Sequence, residues 1–335
     1  MRKILKMKLL SFALCAASML DASQLKSDEF VLFIPSIAYD LDDQTIAAEV
    51  KAFVYEKERR LGVTSAFAAL LGIDMDALSQ IEKERLYERS ALFRVDYESS
   101  KEFFIKFENA VIQKMPQTKD GKSAKTFKLQ KPLNHKINFE LHKPINAAKS
   151  FALYAKNQGV SAVFDIDDTI KNSNVLDKKA LLANTFLNEY ETVEGIQKIF
   201  ELVQNLRADA YHYVSGSPAQ LYPELQKFFH KNNIPEGTFH LRDTTDLNDF
   251  MPSREATIKH KKENIEKLFK SYPKRKFILV GDSGESDPEI YADLQRKYPD
   301  KVLLIIIHDL QNSNGTSTKL KENFKGVDKS VLLFF

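Results

Sequence analysis

The chain has 335 residues, of which 43% are hydrophobic and 11% aromatic, so it can build a sizeable core and is not a mostly disordered protein. Its 49 Lys and Arg residues against 46 Asp and Glu residues give no indication of nucleic-acid binding, and we expect no nucleic-acid partner. The length allows two domains.

Residues 1–22 predict an export signal. Arg2 and three lysines form a basic start, residues 9–20 carry no charge, and small residues follow as cleavage points. The uncharged stretch is too short to span a bilayer. A buried N-terminal helix is the alternative. Cleavage after residue 22 leaves 45 basic and 45 acidic residues and removes Cys15, the single cysteine. We therefore expect an exported protein, periplasmic or secreted, without a thiol.

Residues 28–145 predict a mostly β accessory domain with a helical insert. Apolar and alternating stretches indicate strands at 30–34, 45–55, 91–97, 102–107, 110–112 and 126–129, and helices at 65–72 and 75–89. Residues 131–144 are expected to connect this domain to the next. No catalytic constellation stands out in this part.

Residues 146–335 predict an α/β domain with a parallel sheet and helices on both faces. Strand candidates at 161–164, 210–214, 276–280 and 301–307 alternate with helical segments. A last strand is expected at 331–335, after a polar surface loop at 311–330.

The first of these strands ends in an acidic cluster. Asp165, Asp167 and Asp168 follow four small or apolar residues, and Thr169 adds a hydroxyl. Crowded carboxylates repel one another, and a bound Mg²⁺ is the simplest remedy. A phosphoryl-transfer site with an aspartate nucleophile is therefore the favoured interpretation.

Two other interpretations of the cluster stay open. A plain turn uses one of the aspartates as a cap, but hardly three. A calcium loop requires Gly at its sixth position and Glu at its twelfth, where this chain has Ile170 and Leu176.

The second strand ends at Ser215-Gly216-Ser217-Pro218. We expect Ser217 to cap a helix whose first turn contains Pro218, which makes a seat for phosphate at a helix N-terminus. Ser215 then lies at the strand tip with its hydroxyl free. The alternative is a strand-to-helix turn without function.

The third strand ends at Gly281-Asp282, and Asp287 precedes Pro288. Asp282 follows an apolar strand, and this position predicts that it is a metal ligand. Asp287 is either a second ligand or a helix cap, since the Asp-Pro pair marks a helix start.

Residues 259–262 form a basic run on a helix expected to begin near Glu255. Four consecutive helical residues cannot share one face, so one lysine can point to the pocket while the others are solvated. Lys261 is the favoured residue and Lys262 the alternative. A fixed cation beside the phosphoryl group offsets the charge on its oxygens.

The order of these motifs resembles the haloacid-dehalogenase (HAD) superfamily, and their detail resembles the actin-patch-associated phosphatidate phosphatase family. The resemblance covers about residues 150–310. It rests on motifs that begin at Asp165, Asn184, Tyr211, Gln220, Gly237 and His260, and most specifically on Gly281-Asp-Ser-Gly-Glu-Ser-Asp-Pro-Glu-Ile-Tyr.

The resemblance implies a HAD-like Rossmannoid fold and a Mg²⁺-dependent phosphatidate phosphatase. Carried over by position, Asp165 is the nucleophile that forms an aspartyl-phosphate, and Asp167 is the acid and base. The other implied roles are phosphoryl binding by Thr169, Ser215, Gly216 and Lys261, and Mg²⁺ binding by Asp165, Asp282, the backbone carbonyl of Asp167, and Asp287 as support.

The expected substrate is a phosphorylated lipid. About 45 residues separate the first two motifs, which leaves little for a large lid and favours an open pocket. Residues 254–276 carry nine Lys or Arg against three Glu, a strip suited to an anionic membrane surface. Two alternatives remain: an exported phosphatase of broad specificity for soluble monoesters, and a non-catalytic binding module. The sequence does not indicate the oligomeric state.

Overall fold

A computed structural model describes residues 23–57, 63–143, 148–244, 252–310 and 318–335. The predicted export signal at residues 1–22, with Cys15, lies outside the described residues. Among the helices that the structure describes, none combines the length and apolar character needed to cross a bilayer.

The first half of the chain forms a mainly antiparallel sheet. Its strands run in the order β2-β4-β3-β11-β10-β7-β8, with β5 and β9 also pairing with the long strand β4, and β1 pairs with β6 separately. The strands are β1 (Ser23–Gln24), β2 (Glu29–Ile34), β3 (Ser36–Asp40), β4 (Thr45–Glu56), β5 (Asp96–Tyr97), β6 (Lys101–Glu102), β7 (Phe104–Phe107), β8 (Ile112–Lys114), β9 (Lys122–Gln130), β10 (Lys136–Leu141) and β11 (Lys149–Tyr154).

The helical insert of this half consists of α1 (Val63–Leu70) and α2 (Gln80–Arg89). The α2 helix begins with a capping box, because the Ser79 hydroxyl accepts from the Glu82 N–H and the Glu82 carboxylate accepts from the Ser79 N–H. At its other end, the Arg89 guanidinium donates to the carbonyls of Thr185 and Asn188 at 3.1 and 2.6 Å. The insert is thereby tied to the second half of the chain.

The second half forms a parallel sheet in the order β14-β13-β12-β15-β16-β17. Every pair of neighbouring strands in it is parallel. The strands are β12 (Val160–Phe164), β13 (Ala208–Pro218), β14 (Thr238–Arg242), β15 (Lys276–Asp282), β16 (Val302–His308) and β17 (Leu332–Phe334). The helices are α3 (Lys178–Phe186), α4 (Ile196–Asn205), α5 (Tyr222–Lys231), α6 (Arg254–Ser271), α7 (Asp287–Lys297) and α8 (Thr318–Asn323).

Helices cover both faces of the parallel sheet, as predicted. Alternate residues of β12 point to opposite sides: Phe164 packs in a core with residues of α3, α4 and α5, and Val163 packs in a second core with residues of α6 and α7. Strands buried on both faces are near-continuously apolar, which is why β15 and β16 could be read from the sequence.

The two halves share a core. Ile34 and Phe53 of the first sheet belong to the same buried cluster as Phe164. The Phe239 N–H also donates to the Pro35 carbonyl at 3.0 Å, and Lys267 pairs with Glu49 at 2.6 Å. The first sheet therefore forms one side of the body that carries the parallel sheet.

Several expected boundaries differ from the structure. The expected connection at 131–144 contains β10, and β11 also belongs to the first sheet, so that sheet extends to Tyr154 rather than ending at residue 145. Residues 91–93 form a 3₁₀ turn instead of a strand. The expected surface loop at 311–330 contains α8, whose Leu320 is buried. The β14 strand was not predicted, because its alternating Thr, His and Arg residues do not resemble a buried strand.

Candidate active site

Two acidic strand ends meet at one edge of the parallel sheet. Phe164 in β12 is in register with Val280 in β15, and the Asp165 N–H donates to the Val280 carbonyl at 2.9 Å. Asp165 and Asp282 follow these positions on neighbouring strands, and both are buried. The parallel topology thus places two carboxylates side by side, as expected for the carboxyl ends of such strands.

A third carboxylate, Glu285, completes the cluster. One oxygen each from Asp165, Asp282 and Glu285 lie within 4.8 Å of one another. The loop folds back because Asp282 Oδ1 accepts from the N–H groups of Gly284 and Glu285 at 2.7 and 3.0 Å. The turn that Asp282 closes therefore brings Glu285 to the site.

The donor set fits a divalent cation. Asp282 Oδ2 is buried and accepts no hydrogen bond from the described residues, although buried carboxylate oxygens are almost always paired. Oxygen donors of this kind, with room left for substrate oxygens, are what Mg²⁺ prefers. Asp165, Asp282 and Glu285 are thus the residues that could hold the ion.

Lys261 is the buried cation of the site. Its Nζ lies 2.9 Å from Asp165 Oδ1, 2.8 Å from Glu285 Oε2 and 2.7 Å from Asp287 Oδ1. The next residue, Lys262, points outward and pairs with Asp293 at 3.2 Å. The structure therefore places Lys261, the favoured lysine of the two, against the carboxylates.

Asp287 lies beside Lys261 rather than in the group of three carboxylates. It is the first residue of α7, but its carboxylate caps no helix; it pairs with Lys261, outside the group of three carboxylates that could share an ion. Gly281 allows this placement, since a Cβ at that position would lie 2.3 Å from Asp287 Oδ2. Asp287 therefore pairs with Lys261 and is linked to the three carboxylates through this lysine.

Burial and the mutual repulsion of the carboxylates determine the pKa values of the site residues. Burial raises the pKa of Asp165 and Asp282 well above the ordinary value, and the neighbouring carboxylates add to the effect, while Lys261 opposes it. Burial acts to lower the pKa of Lys261, but Asp165, Asp287 and Glu285 outweigh it and raise that pKa. Lys261 therefore stays charged, and the carboxylates have more negative charge than one lysine neutralises.

Asp167 lies beside the cluster in a different environment. Its carboxylate accepts hydrogen bonds from the hydroxyls of Ser173 at 2.6 Å and Ser217 at 2.7 Å, and it pairs with Lys171 at 2.9 Å. Burial acts to raise the pKa of Asp167, but Lys171 and these hydrogen bonds lower it to about 2. Lys171 is itself held over the Tyr190 ring.

Asp168 and Thr169 shape the loop after β12. Asp168 has a left-handed backbone with φ of 52°, and its carboxylate accepts from the N–H groups of Ser173, Asn174 and Val175. The Asp168 carboxylate therefore orders the loop and is not part of the acidic cluster. Thr169 is buried, with its hydroxyl 3.5 Å from Asp165 Oδ2.

The turn after β13 differs from the expectation. Ser217 caps no helix: β13 continues to Pro218, a 3₁₀ turn follows, and α5 begins at Tyr222. The Ser217 hydroxyl donates to Asp167 instead, and the Ser215 hydroxyl accepts from the Ser217 N–H at 3.0 Å. The helix N-terminus expected as a phosphate seat is thus displaced from this turn.

Gly216 and Ser215 still lie at the site. Ser215 is buried, with its hydroxyl 3.5 Å from Asp167 Oδ2. The Gly216 carbonyl accepts from Arg242 Nε at 2.5 Å, which fixes the turn against the end of β14.

A cleft of about 220 Å³ opens over these residues. Asp167, Gly216, Ser217 and Glu285 line it, together with Leu181 and Thr185 of α3. The segment between the first two motifs consists of α3, α4 and their connections, as the helical pattern indicated.

The basic strip at 254–276 is largely neutralised. Lys261 is buried in the site, and Arg275 is buried against Asp209 and backbone carbonyls. Arg254, Lys262 and Lys267 pair with Glu289, Asp293 and Glu49, respectively. The strip therefore offers an anionic membrane far fewer free charges than its composition suggested.

Comparison with known proteins identifies this half of the chain. Residues 160–309 match the family model for the catalytic domain of phosphatidate phosphatase APP1. The matched segment, which makes up just under half of the chain, is similar to that family. The match runs from the start of β12 to just past the end of β16, and so includes Asp165, Lys261, Asp282 and Glu285. The match confirms the resemblance that the motifs indicated.

Two curated relatives each match a little under half of the chain. An uncharacterised protein of Schizosaccharomyces pombe is 34% identical over 158 residues, which are 46% of this chain and 26% of that protein. Phosphatidate phosphatase APP1 of Saccharomyces cerevisiae is 32% identical over 165 residues, which are 48% of this chain and 28% of that protein. The chain spans about a quarter of the length of these relatives.

Three residues of the APP1-type site were missed from the sequence. Glu285 follows no strand, and its signal was the Asp282-Ser-Gly-Glu turn sequence. Lys171 lies four residues after Asp167 in a loop, where no regular periodicity indicates a contact. Ser217 was interpreted as a helix cap, whereas its hydroxyl donates a hydrogen bond to Asp167.

Proposed function

We propose that the protein is a Mg²⁺-dependent phosphatidate phosphatase that works through an aspartyl-phosphate, as HAD-type phosphatases do. The observation that carries the proposal is the cluster of buried Asp165 and Asp282 with partly buried Glu285, beside Lys261; one Asp282 oxygen has no hydrogen-bond partner among the described residues. The similarity of residues 160–309 to the APP1 catalytic-domain family supports the reaction and the lipid substrate. We keep the domain limits proposed from the sequence, except that the first sheet extends to Tyr154.

Asp165 is the proposed nucleophile. Its carboxylate oxygen attacks the phosphorus of phosphatidate while the bond from phosphorus to the glycerol oxygen breaks, and the electron pair leaves with that oxygen. Lys261 lies 2.9 Å from the Asp165 carboxylate and offsets charge on the transferring oxygens. Thr169, Ser215 and the Gly216 turn complete the proposed surroundings of the phosphoryl group.

The Mg²⁺ would be held by Asp165, Asp282 and Glu285. The backbone carbonyl of Asp167 remains a further proposed ligand. Asp287 would support the site through its contact with Lys261. Bound there, the ion would supply positive charge to the phosphoryl oxygens and allow the carboxylates to ionise together. Three crowded carboxylates and one lysine explain why such an ion is needed.

Asp167 is the proposed acid and base. It protonates the glycerol oxygen in the first step, which releases diacylglycerol. In the second step it accepts a proton from water, whose oxygen attacks the aspartyl-phosphate and regenerates the Asp165 carboxylate with release of phosphate. Lys171 and the hydrogen bonds to Asp167 lower its pKa and keep it ionised in the free protein, so it takes up a proton from solvent as the dianionic substrate binds, and this is the proton that it donates. Lys171 and Ser217 fix its orientation.

The experiment that tests the proposal is phosphate release by the purified protein from phosphatidate in mixed micelles and from a panel of soluble monoesters, each with Mg²⁺ and with chelator. Mg²⁺-dependent release from phosphatidate in preference to the panel is the expected result. Preference for soluble monoesters would identify a broad-specificity phosphatase. No release from any substrate would indicate a binding module and refute the enzyme.

Export remains part of the proposal. It rests on the pattern of residues 1–22 alone. N-terminal sequencing of the protein recovered from the medium or periplasm of its host tests it: a start near residue 23 is expected, and an intact Met1 in the cytoplasmic fraction would contradict it.

A further inference from the structure

An apolar groove lies between the helical insert and α3. It has a volume of about 520 Å³; Leu71, Ile73 and Leu78 line one wall, and Leu182 and Leu187 the other. The walls are held in place by aromatic packing, since the rings of Phe67 and Phe186 are 5.3 Å apart behind them. The groove is therefore a built feature of the fold, formed where two anchored segments leave a space.

The groove and the catalytic cleft share one helix. Leu181 and Thr185 of α3, spaced i and i+4, line the cleft. Leu182 and Ala183, on the adjacent side of the same helix, line the groove. The cleft and the groove therefore lie on adjacent sides of α3.

The surface around the groove is largely apolar and carries two lysines, Lys178 and Lys179, and one acidic residue, Asp74. Leu70 and Leu176, next to the two walls in the chain, are 56% and 59% exposed. Lys178 and Lys179 line the groove and are exposed, and within the described ranges neither lysine pairs with an acidic side chain. Exposed apolar residues beside free cations fit an amphipathic anion rather than a neutral ligand.

We propose that this groove binds an acyl chain of the phosphorylated lipid substrate, with Lys178 and Lys179 at the head groups of the surrounding anionic lipid. The inference deepens the proposed function and rests on it. It also replaces the neutralised strip at 254–276 as the basic surface next to the site. The occupant is a hydrocarbon chain attached to a phosphate ester, so the groove sets a preference for chain length.

The test compares monomeric phosphatidates of different chain length with glycerol 3-phosphate. Because each buried methylene is worth about fourfold in affinity, kcat/KM rises steeply from the dibutanoyl to the dioctanoyl lipid. Ala77→Trp fills the groove from an exposed position on its wall. Ala69→Trp places the same side chain on the exposed face of α1 outside the groove and is the matched control.

The expected result is a fall of about tenfold or more in the ratio of kcat/KM for dioctanoyl phosphatidate to that for glycerol 3-phosphate in Ala77→Trp, with an unchanged ratio in Ala69→Trp. If the wild type hydrolyses phosphatidate without a gain from longer chains, or if both variants keep the wild-type ratio, the groove inference is overturned and the proposed function stands. If the wild type hydrolyses glycerol 3-phosphate but no phosphatidate, the proposed lipid function and the inference both fail.

Discussion

Replacement of Lys261 by methionine tests the electrostatic logic of the site. Lys261 lies within 2.9 Å of Asp165, Glu285 and Asp287, and its side chain is 1% exposed. The variant keeps the length of the side chain and removes the charge that these carboxylates share. Removal of one partner from a buried ion pair costs about 3–5 kcal/mol, because the remaining charge stays buried without compensation.

The chain provides a matched control at the next position. Lys262 pairs with Asp293, but the two side chains are 35% and 47% exposed, so Lys262→Met should cost less than about 1 kcal/mol. For 335 residues, 3–5 kcal/mol corresponds to a fall of about 4–7 °C in melting temperature, against about 1 °C for the control. Phosphate release should fall about a hundredfold or more in Lys261→Met alone.

Thermal unfolding followed by circular dichroism, with Mg²⁺ and with chelator, measures the first effect, and phosphate release measures the second. Added Mg²⁺ should stabilise Lys261→Met at least as much as wild type, since its carboxylates have lost the lysine that pairs with them. Equal melting temperatures for the two variants, or full activity in Lys261→Met, would refute the account of a shared buried cation.

Three further predictions concern groups around the site and the sheet. Gly281→Ala should lower phosphate release at least tenfold, because its Cβ displaces the Asp287 carboxylate 2.3 Å away; wild-type activity would contradict this contact. Lys171→Met should cost about 3–5 kcal/mol in urea unfolding and reduce turnover, since Asp167 loses its buried partner; an unchanged midpoint would count against it. Burial, with a smaller effect of Arg275, lowers the pKa of His212 to about 3. The neutral His212 therefore contributes fully to the free energy of unfolding above pH 6.5, and this contribution falls by about 2 kcal/mol towards pH 5. A His212→Gln variant whose stability has the same pH dependence as wild type would exclude His212 as the source.

The strand ends were predictable because burial on both faces leaves a plain signal. Asp165 follows β12, Asp282 is the last residue of β15, and Ser215 lies near the end of β13; parallel strands bring such positions to one edge. The sequence predicted that one lysine of α6 points to the site, but it left open whether this is Lys261 or Lys262. The residues around them do not fix which side of the helix is buried.

The residues that were missed depend on contacts between loops. Glu285 reaches the site through backbone hydrogen bonds to Asp282, and Lys171 through a loop whose Asp168 adopts a left-handed conformation. Neither arrangement has a sequence period. The limit of the first sheet was misplaced for a related reason: β11 pairs with β10 and β3, which are close to it in space but partly distant along the chain.

The central claim is that Asp165 carries the phosphoryl group in a site completed by a divalent cation. The most direct measurement is phosphate release from phosphatidate by wild type and by Asp165→Asn, each with Mg²⁺ and with chelator, with folding checked by circular dichroism. The account predicts release only for wild type with Mg²⁺, and a folded but inactive variant. Release by Asp165→Asn at a rate near that of wild type, or release that chelator does not reduce, would contradict it.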